Sequence, residues 1–326
     1  MSWNNRVVWS EGMFITTQHF QQQDRYLENF IDARSRPLSC AAWGFSELLI
    51  DQGLLAQGKL AILSARGLLP DGTPFDIPRD DLPPPPLEIP DDLRDGLIYL
   101  GLPLKRSGAR DTVDEGEAAE GARYVSRISE VRDDNAPFEN RAPLALGSRA
   151  LRLLLEVDGV SDHAALGVVR IREKRADRAL VLDDNYIAPL LDVSANNLLS
   201  GFRSELLGLL HQRGEALAGR VVASANGGAS EIADFMLLQL VNRAQPLLEH
   251  LNQLSPLHPE RLYSELVSLA GEFATFCSEG RRPASYPVYQ HDDLAATFTP
   301  VMSALREALS MLIDSKAVAI PIIAKA

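Results

Sequence analysis

Two hydrophobic periods divide the chain. Between about Ala42 and Leu182, short runs of apolar and polar positions are separated by turn residues, which is typical of β-strands. From about Ser194 onward, apolar positions recur every three or four residues, which is typical of packed amphipathic helices. This change of period predicts an α+β multidomain protein, with an N-terminal antiparallel β-sandwich followed by an up-down four-helix bundle.

Seven strands are predicted in the first part of the chain, with no helical pattern among them. The clearest alternation places Leu151, Leu153, Leu155 and Val157 on one face of a half-buried strand. The predicted strands are Ala42–Ile50, Lys59–Leu69, Leu97–Leu104, Arg123–Arg132, Arg149–Val157, Gly167–Arg172 and Arg178–Leu182.

Three connections in this part have a recognisable character. The sequence Pro70-Asp71-Gly72-Thr73 predicts a tight turn in which glycine takes the left-handed position. The four prolines from Pro83 to Pro86 predict a stiff polyproline II connector. The less favoured interpretation is that they form a ligand for a proline-binding domain. Ser107–Gly121 is small and acidic and predicts a mobile loop.

Four helices are predicted in the second part, at about Ser194–Val222, Ser230–Leu254, Pro259–Ser278 and Asp292–Asp314. Asn226, Gly227 and Gly228 are expected to separate the first two. The last two helices carry apolar positions at heptad-like spacing, which indicates a seam inside a bundle or between subunits. The seam residues are Leu262, Leu266, Leu269, Phe273, Phe276, Leu294, Phe298, Val301 and Leu305.

An aromatic segment opens the chain. Arg6–Trp9 is β-branched and aromatic, Gly12 indicates a bend, and a helix is expected from Thr16 or Thr17 to about Ala33. The hydrophobic pattern by itself favours an internal seal over one end of a core, and docking to a partner is the alternative. The candidate partner-binding residues are Trp3, Trp9, Met13, Phe14 and Phe20.

These patterns predict four consecutive regions. Residues 1–40 would pack on the β-domain, 41–185 would form the sandwich, and 186–316 would form an oligomerising bundle. The apolar tail, residues 317–326, is predicted to be the lead-in to a further domain that the sequence does not contain.

Composition narrows the classes of function. A formal net charge of -12 over 326 residues opposes nonspecific binding to nucleic acid or anionic lipid. The two cysteines, Cys40 and Cys277, predict a reducing compartment and are expected to be small buried side chains. The start of the chain is not a signal peptide, and no apolar stretch approaches a membrane span, so we expect a cytoplasmic protein.

Known catalytic spacings are missing from the sequence. The sequence contains no phosphate-binding glycine loop, no zinc-ligand spacing among its six histidines and no nucleophile elbow. We therefore predict a protein that is not an enzyme, with no catalytic, cofactor-binding or metal-binding residues. A dispersed hydrolase site is the remaining enzymatic alternative.

The opening stretch resembles a known family. The residues Asn5–Phe14 and Gln18–Tyr26, which read NRVVWSEGMF and QHFQQQDRY, are similar to the start of TssK proteins, the ImpJ/VasE family of type VI secretion baseplate subunits. The order of a β-domain followed by helices agrees with the layout of that family.

The resemblance implies a structural, non-enzymatic homotrimer. Its β-sandwich would be similar to the shoulder of phage receptor-binding proteins and would bind the baseplate subunits TssF and TssG. Its bundle would supply much of the trimer axis. A C-terminal domain of the family would contact the membrane-complex proteins TssL and TssM, and this sequence ends where that domain would begin. A carbohydrate- or peptide-binding sandwich fused to an oligomerising bundle is the alternative.

Overall fold

The computed structural model describes residues 3–117, 121–136, 138–223 and 229–311. The chain divides into two compact units, Met1–Leu191 and Asp192–Ala326, named here the β-unit and the helical unit. The predicted break at Asn226–Gly228 and the predicted lead-in, residues 317–326, lie outside the described residues.

Within the described residues, the β-unit contains four sheets and two helices. The strand orders are β1-β3-β4, β10-β6-β11-β12, β2-β5 and β7-β8-β9. The elements are α1 Thr17–Ser35, β1 Gly44–Ile50, α2 Gln52–Leu55, β2 Lys59–Leu60, β3 Ile62–Leu68, β4 Pro74–Ile77, β5 Leu87–Glu88, β6 Arg94–Pro103, β7 Thr112–Asp114, β8 Tyr124–Arg132, β9 Arg141–Arg149, β10 Arg152–Leu155, β11 His163–Lys174 and β12 Leu180–Leu182.

Strand β6 lies at the centre of the largest sheet, between β10 and β11. Its alternate residues Ile98, Leu100 and Leu102 are fully buried. Leu100 lies opposite Leu153 of β10 and Leu166 of β11, and both of those side chains are also buried. The period-two pattern therefore builds a continuous apolar layer across neighbouring strands.

The predicted turn after β3 is confirmed. The backbone N–H of Gly72 donates to the carbonyl of Leu69 at 2.8 Å, and Gly72 has a φ of +85°. A side chain at this φ would be strained, which explains the choice of glycine.

Several predictions for the β-unit are wrong in detail. The strand expected to reach Val157 ends at Leu155, because the chain turns into a single 3₁₀ turn over Glu156–Asp158 and leaves Val157 exposed. The expected loop Ser107–Gly121 contains strand β7, which pairs in parallel with β8, so the sheets are not purely antiparallel. A one-turn helix, α2, interrupts the strands and is capped by the side chain of Asp51.

The pattern also missed strand β9. Most of its residues are exposed, so burial imposes no alternation of apolar and polar side chains along it. Strands β4, β5 and β7 were missed as well, since two to four residues are too few to display a period.

The described part of the helical unit contains four long helices that match the predicted positions. They are α3 Asn197–Ala223, α4 Ala229–Gln253, α5 Pro259–Cys277 and α6 Leu294–Met311. Helix α3 contacts α4 and α6, and α5 also contacts both α4 and α6. Each of these helices therefore packs against at least two others.

A buried carboxylate joins the start of the helical unit to the connection between α4 and α5. Asp192 accepts hydrogen bonds from the backbone N–H groups of Ser194 at 3.0 Å and Leu257 at 3.2 Å, and from the hydroxyl of Ser255 at 2.9 Å. Burial alone would raise the pKa of Asp192, but these hydrogen bonds outweigh it and the pKa is lowered. The carboxylate is thus held in its charged form.

The two cysteines have different surroundings. Cys277 is half-buried, and desolvation raises the pKa of its thiol. Cys40 is exposed, so the prediction that it is a buried side chain is wrong. Among the residues that the structure describes, no helix combines the length and the apolar character that a membrane span requires.

Replacing Phe298, whose side chain is fully buried in α6, should destabilise the helical unit. Phe298→Ala is expected to lower the free energy of unfolding by ~3–5 kcal/mol, because it leaves a cavity among packed side chains. Val222→Ala on the exposed surface of α3 is the control and should cost less than ~1 kcal/mol, because Val222 is 87% exposed. Urea denaturation followed by circular dichroism measures both, and equal losses would contradict the assignment of Phe298 to the core.

Candidate partner-binding surface

The N-terminal segment, residues 3–35, consists of an extended chain folded back on α1. The side-chain amide of Gln22 on α1 donates to the carbonyl of Trp3 at 3.1 Å and to that of Asn5 at 2.6 Å. About two turns further along the helix, Asn29 accepts a hydrogen bond from the side chain of Asn4 at 2.9 Å. These contacts fix the beginning of the chain against the middle of α1.

Gln22 and Arg25 together form a polar clamp on the beginning of the chain. The guanidinium of Arg25 donates twice to the side-chain oxygen of Gln22, at 2.6 and 3.2 Å, which orients the amide nitrogen toward the two carbonyls. The same guanidinium lies over the ring of Trp3, with 4.4 Å from its carbon to the ring centroid, which is a cation–π contact. Gln22 and Arg25 together therefore hold both the backbone and the first aromatic side chain.

The return of the chain into α1 is also fixed by side chains. Gly12 has a φ of +75°, in the turn where the backbone N–H of Met13 donates to Ser10. Thr16 caps the helix, as predicted, and its backbone N–H donates to Nδ1 of His19 at 3.1 Å. The His19 ring lies 6.0 Å from that of Trp9, centroid to centroid.

The apolar side chains of this segment do not form an internal seal. No residue of α1 is buried. Of the five candidate residues, Phe14 is 87% exposed, Phe20 58%, Trp9 46% and Trp3 39%, and Met13 is half-buried. The interpretation that the hydrophobic pattern favoured, a terminal strand and helix sealing a core, is therefore wrong.

Further apolar residues are exposed on the same segment. Sequence reasoning did not select them, although Leu27 and Ile31 share the helical stripe of Phe20, which was a signal for two of them. They are Val8, Ile15, Leu27, Phe30 and Ile31. An exposed set of large apolar and aromatic side chains on an ordered frame is typical of a protein–protein interface.

The predicted seam residues belong to a different part of the molecule. Eight of them are buried within the helical unit, and Phe276 is half-buried. They fill the space between helices and are separate in sequence and in unit from the aromatic residues of the N-terminal segment.

Comparisons with known proteins identify the family of this chain. A family model described as bacterial type VI secretion, with EvfL, ImpJ and VasE as member names, matches residues 19–326. A Pseudomonas aeruginosa protein, type VI secretion system baseplate component TssK1, is 68% identical over all of this chain, which spans 73% of that protein. The chain belongs to the TssK family.

Solved structures of TssK proteins share the fold. A crystal structure of TssK matches with a TM-score of 0.88 and 42% identity over 94% of this chain and 72% of that one. TssK in a TssK–TssF–TssG baseplate subcomplex, determined by cryo-electron microscopy, matches with a TM-score of 0.82 and 28% identity over 94% of this chain and 99% of that one. The mixed architecture of helices and mainly antiparallel sheets is therefore that of TssK structures.

Removing the clamp should loosen the start of the chain without unfolding the β-unit. In Gln22→Leu, the loss of the hydrogen bonds to the Trp3 and Asn5 carbonyls should speed hydrogen exchange in residues 3–16 by about tenfold, because ~1.4 kcal/mol of local stability is removed. Exchange in β6 should not change. Gln21→Leu, at an exposed neighbouring position, is the control. Equal exchange in the two variants would show that Gln22 does not hold the segment.

Proposed function

We propose that this chain is a structural subunit of a type VI secretion baseplate, and that it binds TssF and TssG through the exposed apolar surface of its N-terminal segment. Membership in the TssK family supports the first part, together with the TssK protein that assembles with TssF and TssG in the subcomplex described above. The single observation that carries the second part is the exposure of the aromatic side chains around Phe14 on a segment clamped by polar contacts.

The physical argument is the cost of exposed apolar surface. Burying it is favourable by roughly 25 cal/mol per Å², so large side chains held in water are stabilised by a partner that covers them. A segment that is already ordered also loses little conformational entropy on binding. The clamp of Gln22 and Arg25 therefore raises the affinity that the same aromatic residues would have on a flexible chain.

The proposal includes the arrangement of the β-sheets and helices into domains. The sheets β1-β3-β4 and β10-β6-β11-β12 each contribute fully buried side chains, Phe45 and Leu100 among them, which supports a β-sandwich over residues 41–185. Contacts of each helix with two others support an up-down four-helix bundle over residues 186–316. Residues 1–40 would be the docking segment and 317–326 the lead-in to a further domain.

The assembly would be a homotrimer that links the TssF–TssG wedge to the membrane-complex proteins TssL and TssM. The trimer follows from the resemblance to TssK, and exposed apolar residues on α4, Ile232, Phe235 and Met236, supply a surface that neighbouring copies could cover. The link to TssL and TssM would depend on the family's C-terminal domain. A non-enzymatic protein acting in the cytoplasm is the consistent interpretation.

Substitutions on the aromatic surface should separate binding from folding. Phe14→Ala and Trp9→Ala are each expected to weaken capture of a co-expressed TssF–TssG complex by about thirtyfold, since a central interface aromatic contributes ~2 kcal/mol or more. The free energy of unfolding should change by less than ~1 kcal/mol, because neither side chain is buried.

Phe138→Ala is the matched control, since Phe138 is an equally exposed phenylalanine in the connection between β8 and β9. It should leave capture unchanged. Capture that survives Phe14→Ala and Trp9→Ala together would rule out this surface as the binding site. Unfolding of Trp9→Ala would instead assign Trp9 to the core.

The oligomeric state is a separate prediction. Light scattering at micromolar concentration should give a mass three times the 35.7 kDa of the chain. Phe235→Glu places a charge on the exposed apolar surface of α4 and should reduce that mass if the helices form the trimer axis. A monomer at all concentrations would contradict the homotrimer.

A further inference from the structure

A groove of about 770 Å³ lies in the β-unit between α1 and the ends of several strands. One wall is the face of α1 that includes Arg25, Ile31 and Ser35. The opposite wall includes Trp43, just before β1, and Arg149, at the end of β9. The groove adjoins the exposed apolar surface of the N-terminal segment, since Trp3 and Ile31 belong to both.

The groove is cationic in an acidic protein. Five cationic and three acidic side chains line it, whereas the chain as a whole has a net charge of -12. The three acidic side chains are all paired with cations of the lining. The pairs are Glu28 with Lys105 at 2.6 Å, Asp32 with Arg36 at 2.7 Å, and Asp71 with Arg123 at 2.9 Å.

Arg25 carries the charge that the groove offers to a ligand. Among the described residues, no carboxylate pairs with Arg25, whose partners are the Gln22 amide and the Trp3 ring. Arg149 is paired with the buried Asp81 at 2.8 Å, and its Nε is buried as well, so a ligand in the groove does not reach that nitrogen. A carboxylate is the group that a guanidinium binds best.

The length of the groove fits an extended peptide. The helical wall runs from Arg25 to Arg36, which corresponds to about 16 Å at ~1.5 Å per residue. An extended chain rises ~3.3 Å per residue, so about five residues would occupy this length. The aromatic rings of Trp3 and Trp43 in the lining provide apolar contacts for the side chains that alternate with the acidic ones.

We infer that this groove binds an extended segment of about five residues, with an Asp or Glu among aliphatic side chains, from the TssF–TssG partner. The inference rests on the proposed function and adds a second contact to it. A carboxylate of the segment would bind Arg25, and its aliphatic side chains would lie against the tryptophan rings. The aromatic surface and the groove would then hold the partner at adjoining sites.

The first experiment identifies the segment. Overlapping 15-residue peptides covering TssF and TssG are immobilised and probed with the full chain, and the bound peptides are expected to carry net negative charge. The strongest is then measured in solution by fluorescence anisotropy, where replacing its Asp and Glu by Lys should abolish binding.

Variants on α1 test where the peptide binds. Ser35→Glu places a negative charge in the groove and should weaken the peptide at least tenfold without loss of stability, because Ser35 is exposed. Ala33→Glu, on an exposed position of the same helix outside the groove, should have no effect. Binding only of basic peptides, or equal affinities of the two variants, would overturn the groove assignment.

The two proposals fail in different ways. If the wild-type chain captures the TssF–TssG complex but no acidic peptide binds, the groove assignment is wrong and the proposed function stands. If the chain does not capture the complex at all, both are wrong.

Discussion

A single glutamine determines how the start of this protein is presented. Gln22 satisfies two carbonyls of the extended N-terminal chain with its amide nitrogen, and its oxygen is in turn held by Arg25. Backbone carbonyls of an isolated extended segment would otherwise be bound only by water, and the segment would retain its conformational freedom. Because these contacts are polar and lie along one helix, they order the chain without requiring that its aromatic side chains be buried.

The polar and the apolar residues of the N-terminal segment have different roles. The polar residues of the motif make the internal contacts, and the large apolar residues remain in water. The opposite arrangement is the usual one in a globular unit, where apolar side chains fill the core and polar ones face solvent. In the proposed function, partner subunits of the baseplate cover these exposed side chains, which gives the inversion a purpose.

The two units each have their own source of stability, as far as the described residues show. The β-unit is centred on strand β6, whose apolar run is buried by neighbours on both sides. In the helical unit, the heptad-like residues of α5 and α6 are buried among helices. The Asp192 carboxylate fixes the beginning of the helical unit through hydrogen bonds that keep it ionised. The N-terminal segment contributes to neither core, so its side chains are free to be selected for binding.

The sequence by itself determined the order of β and helical regions, the positions of the four long helices, the glycine turn before β4 and the cap at Thr16. Each of these follows from local chemistry: the period of apolar positions, a left-handed φ or a hydroxyl at a helix start. The end of β10, the parallel pairing of β7 with β8, and strand β9 were decided by tertiary structure, since they depend on which neighbour a strand meets. The exposure of Phe14 and Phe20 was also decided by the tertiary structure. The hydrophobic pattern indicates that an aromatic side chain favours burial. Only the tertiary structure decides whether the chain itself buries that side chain or leaves it exposed to a partner.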